Sequence, residues 1–143
     1  MSGVTPIEDL PKGIRRLVRL AKVARKKAYA PYSKFLVGCI LRDSDRKIHS
    51  GCNVENVSYS ATVCAERVAV GKMVSRGARE ISTIVVLTNS DEPVFPCGVC
   101  LQVLNEFGKD AEVYAVNRRG TVFSRATIAE LLPSRFEQRH LTR

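Results

Sequence analysis

The sequence predicts an α/β protein in which a sheet is layered between helices. Segments whose apolar residues recur at helical spacing alternate along the chain with short β-branched runs, which is the pattern of layered α/β folds. The 143 residues suit a single domain over residues 1–143, and a hydrophobic content of 45% is enough for an ordinary core. Residues 1–11 precede the first helix, and we expect them to be a flexible N-terminus.

The first helix is predicted over residues 12–28, and a β-hairpin follows it. Apolar residues recur there at helical spacing: Ile14, Leu17, Leu20, Ala21, Ala24 and Ala28. Pro31 ends the helix, because proline disfavours helical backbone in the residue before it. Two strand-like runs, 35–41 and 47–52, then flank the polar turn 43–46.

The remaining elements are predicted from periodicity and from residues that end helices. Gly77 and Gly108 close two helices, and Pro133 ends the last one. The run ISTIVVLT is β-branched and apolar throughout, which is typical of a buried strand. In order, we predict a helix over 62–75, a strand over 81–88, a helix over 97–107, strands over 112–117 and 121–123, and a short helix over 127–132.

The chain is basic, with a net charge of +9. Much of the positive charge lies on the first helix, at Lys12, Arg15, Arg16, Arg19, Lys22, Arg25, Lys26 and Lys27. We interpret it as the solvated back of an amphipathic helix, because a basic helix face alone is weak evidence for nucleic acid. Aromatic residues do not interleave the cluster, so stacking of bases along a strand is not supported. Nucleic acid is therefore not an expected partner.

Composition also predicts the compartment. No apolar run is long enough to cross a bilayer, so no membrane association is expected. The first ten residues include Glu8 and Asp9 and lack the apolar core of a secretory signal, so we expect a cytoplasmic protein. The five cysteines, an odd number, would stay reduced there, which favours metal binding over disulfides.

Three cysteines and a glutamate form the most informative pattern in the chain. They lie in Cys64-Ala65-Glu66 and in Pro96-Cys97-Gly98-Val99-Cys100, each near the start of a predicted helix. Helix N-termini favour thiolate over thiol, and three thiolates suit a zinc ion that keeps one position open for water. A carboxylate at Glu66 can move protons for that water without binding the metal.

Two other readings of the cysteines remain open at this stage. A structural zinc would need a fourth ligand, from Cys39, Cys52, His49 or His140, and a lone C-x-x-C could be a redox pair. Neither reading explains Glu66. We expect Cys39 and Cys52 to be small buried residues, and both histidines to be surface side chains.

With these motifs in view, the sequence resembles the cytidine deaminases, in particular their short homotetrameric form. The resemblance runs from about Tyr29 to Phe136. It includes APYSKF from Ala30, GCNVEN from Gly51, CAER from Cys64, PCGVC from Pro96, Gln102-Val103 and ELLP from Glu130. It implies a three-layer α/β/α fold with a five-stranded mixed sheet.

The resemblance also implies an activity and an assembly. The activity is zinc-dependent hydrolysis of cytidine and 2′-deoxycytidine to uridine and 2′-deoxyuridine plus ammonia, in pyrimidine salvage. The assembly is a homotetramer whose active sites are shared between subunits, with one Zn²⁺ in each subunit.

Carried over position by position, the resemblance assigns roles to individual residues. Cys64, Cys97 and Cys100 match the zinc ligands, and Glu66 matches the proton shuttle. Phe35, Asn53, Glu55, Ala65 and Phe136 match substrate-binding residues. Asn53 and Glu55 would hold the ribose hydroxyls, the Ala65 backbone would meet the polar edge of the base, and Phe136 would reach the pyrimidine of a neighbouring subunit. Arg67 would offset the negative charge of the thiolates.

One departure from the family keeps other functions open. The family usually has a second arginine after its third cysteine, where this chain has Leu101. Rival interpretations are therefore a deaminase of altered substrate range, such as one acting on blasticidin S, a polynucleotide-editing deaminase suggested by the charge, and a non-catalytic zinc-stabilised binding protein. The Asn53-x-Glu55 pair argues against polynucleotides, because its pocket closes around one nucleoside.

Overall fold

The computed structural model describes residues 3–142 and contains one mixed sheet with helices on both faces. Five strands are of ordinary length and one is very short. In chain order the elements are β1 (Thr5–Pro6), α1 (Lys12–Arg25), β2 (Val37–Asp43), β3 (Ile48–Cys52), α2 (Ala65–Ser75), β4 (Ile81–Thr88), α3 (Gly98–Gly108), β5 (Glu112–Val116), β6 (Val122–Thr127) and α4 (Ile128–Leu131).

The strand order across the sheet is β1-β6-β5-β4-β2-β3. β4 and β5 run parallel, and the other neighbouring strands run antiparallel. The expectation of five strands was wrong, because Thr5 and Pro6 pair with the edge strand β6 and add a sixth. A two-residue strand has too little alternation to be read from sequence.

The two faces of the sheet carry separate hydrophobic cores, which confirms the predicted layers. Successive side chains of a strand point to opposite faces. On β2, Cys39 and Leu41 pack beneath α2 and α3, whereas Ile40 packs beneath α1. β4 does the same, with Ile84 on the first face and Val85 on the second. α4 lies on the same face as α2 and α3, through Ile128.

Two glycines allow the helices to lie close to the sheet. A Cβ on Gly38 would stand 2.2 Å from the Ala21 carbonyl oxygen of α1. A Cβ on Gly51 would stand 2.2 Å from the Ala65 carbonyl oxygen of α2. Both distances are far below contact, so only glycine fits, and Gly51 thereby sets the position of the start of α2.

Part of the segment expected to be flexible, residues 3–11, contacts the rest of the fold. The Ile7 amide donates to the Thr121 carbonyl, and Leu10 is buried in the core beneath α1. Residues 1 and 2 lie outside the described part of the chain. Among residues 3–142, no helix has the length and apolar character needed to cross a membrane.

The predicted elements match the observed ones apart from their ends. The first helix stops at Arg25 rather than at residue 28, and the second begins at Ala65 rather than at 62. The last strand extends from 122 to 127, well beyond the predicted 123, because β5 pairs with it as far as Thr127. Pairing with β5 therefore extends β6 beyond the residues whose own sequence indicates a strand.

The expectation that His49 is a surface side chain was wrong. His49 and Asp43 are each only 1% exposed, and Nε2 of His49 lies 2.8 Å from Oδ2 of Asp43. Oδ1 of Asp43 accepts hydrogen bonds from the amides of Asp45 and Lys47 in the β2–β3 turn. His140 is exposed, as predicted.

The two cysteines outside the motif differ in burial. Cys39 is fully buried, and burial raises the pKa of its thiol well above the ordinary value. The same prediction was wrong for Cys52, which is half-buried and lines a surface cavity between α1, β3 and α2. Cys52 ends an edge strand, so no further strand covers that side.

Candidate active site

Three cysteine thiols meet where two helices begin. Cys64 is the N-cap of α2, Cys97 is the N-cap of α3, and Cys100 lies in the first turn of α3. Their sulfur atoms all lie within 4.8 Å of one another. The spacing Cys97-x-x-Cys100 brings two sulfurs together on one helix start, and packing of α2 against α3 adds the third.

Positive charge beside Cys64 favours its thiolate form, whereas the hydrogen bond of Cys100 to Cys64 and its burial raise the pKa of the Cys100 thiol. Nη2 of Arg67 lies 3.8 Å from the Cys64 sulfur and also donates to the Thr62 carbonyl at 3.1 Å. A hydrogen bond from the Cys100 thiol and the Arg67 guanidinium lower the pKa of Cys64 to about 5. The N-terminal dipoles of α2 and α3 act in the same direction.

This donor set fits a zinc ion with an open position. Zinc binds thiolate sulfur at about 2.3 Å, so three sulfurs this close can share one ion. Among residues 3–142, no further His, Cys, Asp or Glu belongs to the group, which argues against the closed structural site. The buried Nε of Arg67 has no hydrogen-bond partner, which suits a guanidinium beside a cluster of negative sulfur ligands.

Glu66 lies beside the sulfurs in the first turn of α2. Its side chain is only 5% exposed. Burial, together with the negative charge of Cys64, raises the pKa of Glu66 to about 7. A carboxyl group with a pKa near neutrality can both accept and return a proton at physiological pH, as general acid–base chemistry requires.

Cys64, Cys97 and Glu66 line a cavity of about 330 Å³, whereas Cys100 is buried behind them. That volume suits a small ligand. Further polar side chains line the same cavity, and apolar side chains from β2, β4 and the segment before α3 form its walls. The lining residues are Ser33, Phe35, Val37, Asn53, Glu55, Thr62, Cys64, Glu66, Val86, Thr88, Val94, Phe95 and Cys97.

Glu55 is held in place by the turn that precedes β2. Its Oε1 accepts hydrogen bonds from the amides of Tyr32 at 2.9 Å and Ser33 at 3.1 Å, and its Oε2 accepts one from the Ser33 hydroxyl. The Ser33 hydroxyl contributes most to lowering the pKa of Glu55, and the two amides add to the effect. A carboxylate has about four acceptor positions, so roughly one stays available to a ligand.

Asn53 uses part of its hydrogen-bonding capacity on the backbone beside it. Oδ1 accepts from the Val37 amide at 2.9 Å, and Nδ2 donates to the Phe35 carbonyl at 2.7 Å. One N–H and one acceptor position are left for the cavity. Asn53 therefore shapes the pocket wall as well as facing its contents, a dual role that the motif did not reveal.

A second asparagine, absent from the predicted site, holds the same segment. Oδ1 of Asn89 accepts from the Leu36 amide at 3.2 Å, and Nδ2 donates to the Lys34 carbonyl at 2.7 Å. Lys34 has a φ of 60°, in the left-handed region that lysine rarely adopts. The side chain of Asn89 does not line the cavity, yet it holds the backbone that carries Phe35.

Ala65, Phe136 and Leu101 do not line the cavity. The side chain of Ala65 is fully buried at the start of α2, where the first amides have no acceptor within the helix. Phe136 lies outside the cavity of its own chain and is 57% exposed. Leu101 is turned into the core beneath α2 and α3, which accounts for an apolar residue at that position.

Several residues that line the cavity were absent from the predicted site. Ser33 lies within the APYSKF motif, two residues after the helix-breaking Pro31, and this position indicated a structured turn. Val86 and Thr88 share the parity of Ile84 on β4, so strand alternation could have placed them on the cavity face. Nothing in the sequence indicated that Val94 and Phe95 close the wall before Cys97.

The sequence of this chain is similar to those of known deaminases. Residues 11–116 match the sequence profile of the cytidine and deoxycytidylate deaminase zinc-binding region. The chain is 43% identical over 130 residues to a cytidine deaminase of Sporosarcina psychrophila, covering 90% of this chain and 95% of that one. A blasticidin-S deaminase of Bacillus cereus is 32% identical, with 83% and 91% covered.

A solved structure supports the same relationship. The crystal structure of a cytidine deaminase from Burkholderia pseudomallei superposes with a TM-score of 0.81 and 43% sequence identity. The match covers 85% of this chain and 98% of the other.

Proposed function

We propose the following activity for this chain, which belongs to the cytidine and deoxycytidylate deaminase family. It is a hydrolase of the C–N bond of a cyclic amidine, and it converts cytidine and water to uridine and ammonia. The observation that carries the activity is the shared cavity: Glu66 and two of the three clustered cysteines line it together with Asn53 and Glu55.

Cys64, Cys97 and Cys100 would hold the zinc ion. Zinc bound there supplies a Lewis acid that lowers the pKa of a water molecule toward neutrality. Glu66 takes one proton of the attacking water on a carboxylate oxygen and delivers it to ring N3, which makes C4 electrophilic. The oxygen of the water bonds to C4, and Glu66 passes the second proton of that oxygen to the amino group. The C4–N bond then breaks, so that ammonia leaves and C4 becomes a carbonyl.

Asn53 and Glu55 hold the sugar. The free acceptor position of Glu55 takes a ribose hydroxyl proton, and the free N–H of Asn53 donates to a ribose oxygen. Three protein donors already satisfy the Glu55 carboxylate, so losing one ligand hydroxyl leaves no bare buried charge. We therefore infer that 2′-deoxycytidine is also a substrate.

The proposed assembly is a homotetramer with shared active sites. Its support is the family resemblance together with Phe136, an exposed aromatic side chain outside its own cavity. In this arrangement Phe136 stacks on the pyrimidine in a neighbouring subunit. A cytoplasmic location is proposed because five free cysteines, three of them needed as metal ligands, suit a reducing compartment.

The deciding experiment follows loss of cytidine absorbance in the ultraviolet with the zinc-loaded protein. Glu66→Gln should keep stoichiometric zinc and lower kcat by about 10²–10⁴, the usual contribution of a general acid–base group. Glu106→Gln, an exposed substitution on α3, is the matched control and should be silent. If Glu66→Gln deaminated at the wild-type rate, the proton-transfer role would be excluded.

Blasticidin S is the second candidate substrate. The relative from Bacillus cereus and the apolar Leu101 favour testing it. Side-by-side measurement of kcat/KM for cytidine and blasticidin S decides between them, and we expect cytidine to be preferred.

A further inference from the structure

The net positive charge of this protein comes from one segment. Residues 10–42 contain ten Lys and Arg and no Asp or Glu, whereas the rest of the chain contains 13 Lys and Arg against 14 Asp and Glu. The net charge of +9 therefore comes entirely from the segment that includes α1.

The fold aligns these charges on one side of α1. At 100° per residue, the cations of α1 other than Arg25, with Lys26 and Lys27 placed by continuing the same repeat, lie on an arc of about 140°. The buried Ile14, Leu17 and Ala21 lie opposite that arc. The helix of 14 residues extends this arc over about 21 Å. We call the set the basic face: Lys12, Arg15, Arg16, Arg19, Lys22, Lys26 and Lys27.

Acidic side chains are scarce around the basic face, and Glu8, which lines a surface cavity with Arg15 and Arg19, is the one among residues 3–142 that shares a cavity with it. Within residues 3–142, none of its side chains forms an ion pair. Arg15 and Lys22 donate only to backbone carbonyls, those of Glu8 and Arg119. Solvated surface cations normally alternate with acidic residues, and here that alternation is missing.

Tertiary contacts widen the basic face on both flanks. The hydrogen bond of Lys22 to the Arg119 carbonyl brings the β5–β6 turn, with the exposed Arg119 side chain, against one flank. On the other flank, Lys27 and Lys72 of α2 line a common cavity. Three separate elements thus contribute cations to one continuous surface, which the sequence did not reveal.

Against the expectation drawn from the sequence alone, we propose that the basic face binds the phosphate backbone of double-stranded nucleic acid without reading its sequence, because acidic residues are scarce around it and cations of two further elements extend it. A second copy of this chain is a poor occupant, because a two-fold contact would oppose two sets of like charges. A membrane is also a poor occupant, since interfacial helices insert their apolar face and that of α1 is buried on the sheet.

Duplex nucleic acid fits the remaining features. It presents a dense row of negative charge that Lys and Arg bind through counterion release. Val23 is the exposed apolar residue within the arc, at 53%, and no aromatic side chain lies there. The face therefore has neither the apolar anchors of a protein interface nor the stacking platform of a single-strand site.

The test uses the zinc-loaded protein and fluorescence anisotropy with a labelled duplex of about 20 base pairs at several salt concentrations. Wild type should bind at about 50 mM salt and weaken steeply as salt rises. Arg16→Gln with Arg19→Gln should raise Kd about tenfold or more and reduce the slope of log K against log salt by about 2. Deamination of free cytidine should be unchanged in this variant.

A matched control removes the same charge elsewhere. Lys47→Gln with Lys109→Gln changes two exposed lysines outside the basic face and should shift Kd less than threefold. If both double variants weakened duplex binding equally, the net charge of the protein and not the basic face would account for binding, and the proposal would be overturned. No binding at low salt, or equal affinity for polyglutamate or for anionic phosphatidylserine vesicles, would overturn it as well.

Discussion

Asn53 and Asn89 hold the same backbone segment from opposite sides. Asn53 bonds to the amide of Val37 and the carbonyl of Phe35, while Asn89 bonds to the amide of Leu36 and the carbonyl of Lys34. The two side chains thus replace a neighbouring strand for residues 34–37. Phe35 is presented to the cavity by a segment in which these two side chains satisfy four backbone polar groups.

Replacing Asn89 should loosen the pocket wall without touching the reacting groups. We expect Asn89→Ala to raise KM for cytidine roughly three- to tenfold with kcat within about twofold, because it removes binding energy of the order of 1 kcal/mol. Asn89→Asp keeps the acceptor for Leu36 but loses the donor to Lys34, so an intermediate KM is expected. A lower melting temperature with an unchanged KM would contradict the positioning role.

Gly51 controls where α2, with Cys64 at its start, lies on the sheet. Gly51→Ala places a methyl group against the backbone of Ala65, so we expect a loss of about 1–3 kcal/mol in the free energy of unfolding and weaker zinc binding. Urea unfolding and zinc titration measure the two effects.

The matched control for Gly51 is Gly71, which lies on α2. A Cβ on Gly71 would meet nothing within 4 Å, so Gly71→Ala should stabilise the protein by about 0.5–1 kcal/mol through helix propensity alone. Similar stability losses in both variants would refute the steric argument.

The buried pair of Asp43 and His49 should make stability depend on pH in the acid range. Burial disfavours the Asp43 carboxylate, but hydrogen bonds from His49 and from the Lys47 and Asp45 amides outweigh it, so the pKa of Asp43 lies below its ordinary value. A carboxylate with a lowered pKa stabilises the fold above its unfolded-state pKa. That stabilisation is lost as the pH falls through the folded-state pKa.

The comparison between wild type and Asp43→Asn isolates this contribution. At pH 6 we expect the variant to be less stable by about 1–3 kcal/mol, because a buried partner of His49 loses its charge. The difference should shrink as the pH falls below about 4, once wild-type Asp43 begins to be protonated in the folded state. Urea unfolding of both proteins at each pH measures it, and a difference independent of pH would exclude the Asp43 carboxylate charge as the cause.

Removing zinc should abolish activity and leave the fold in place. The two cores on the faces of the sheet do not depend on the three thiols for their packing, so far-ultraviolet circular dichroism should persist after chelation. The melting temperature should fall, since zinc binds only the folded site. Added Zn²⁺ should restore both activity and melting temperature, whereas unfolding on chelation would show that the ion is needed for the fold itself.

The chemistry of the site could be read from the sequence because its signals are local. Cys97-x-x-Cys100 is one helical turn, Cys64 and Glu66 are two residues apart, and each group lies at a predicted helix start. Periodicity likewise predicted the helices and the principal strands, because burial on one face imposes a repeat of 3.6 or 2 residues.

Only the tertiary structure decided which distant residues meet. The bonds of Asn89 to Lys34 and Leu36 span more than 50 positions, and the burial of His49 depends on its partner in the β2–β3 hairpin. The sixth strand exists because a free sheet edge at β6 offers pairing groups to Thr5 and Pro6. Such contacts depend on strand order and helix docking, and neither leaves a periodic trace in the residues that make them.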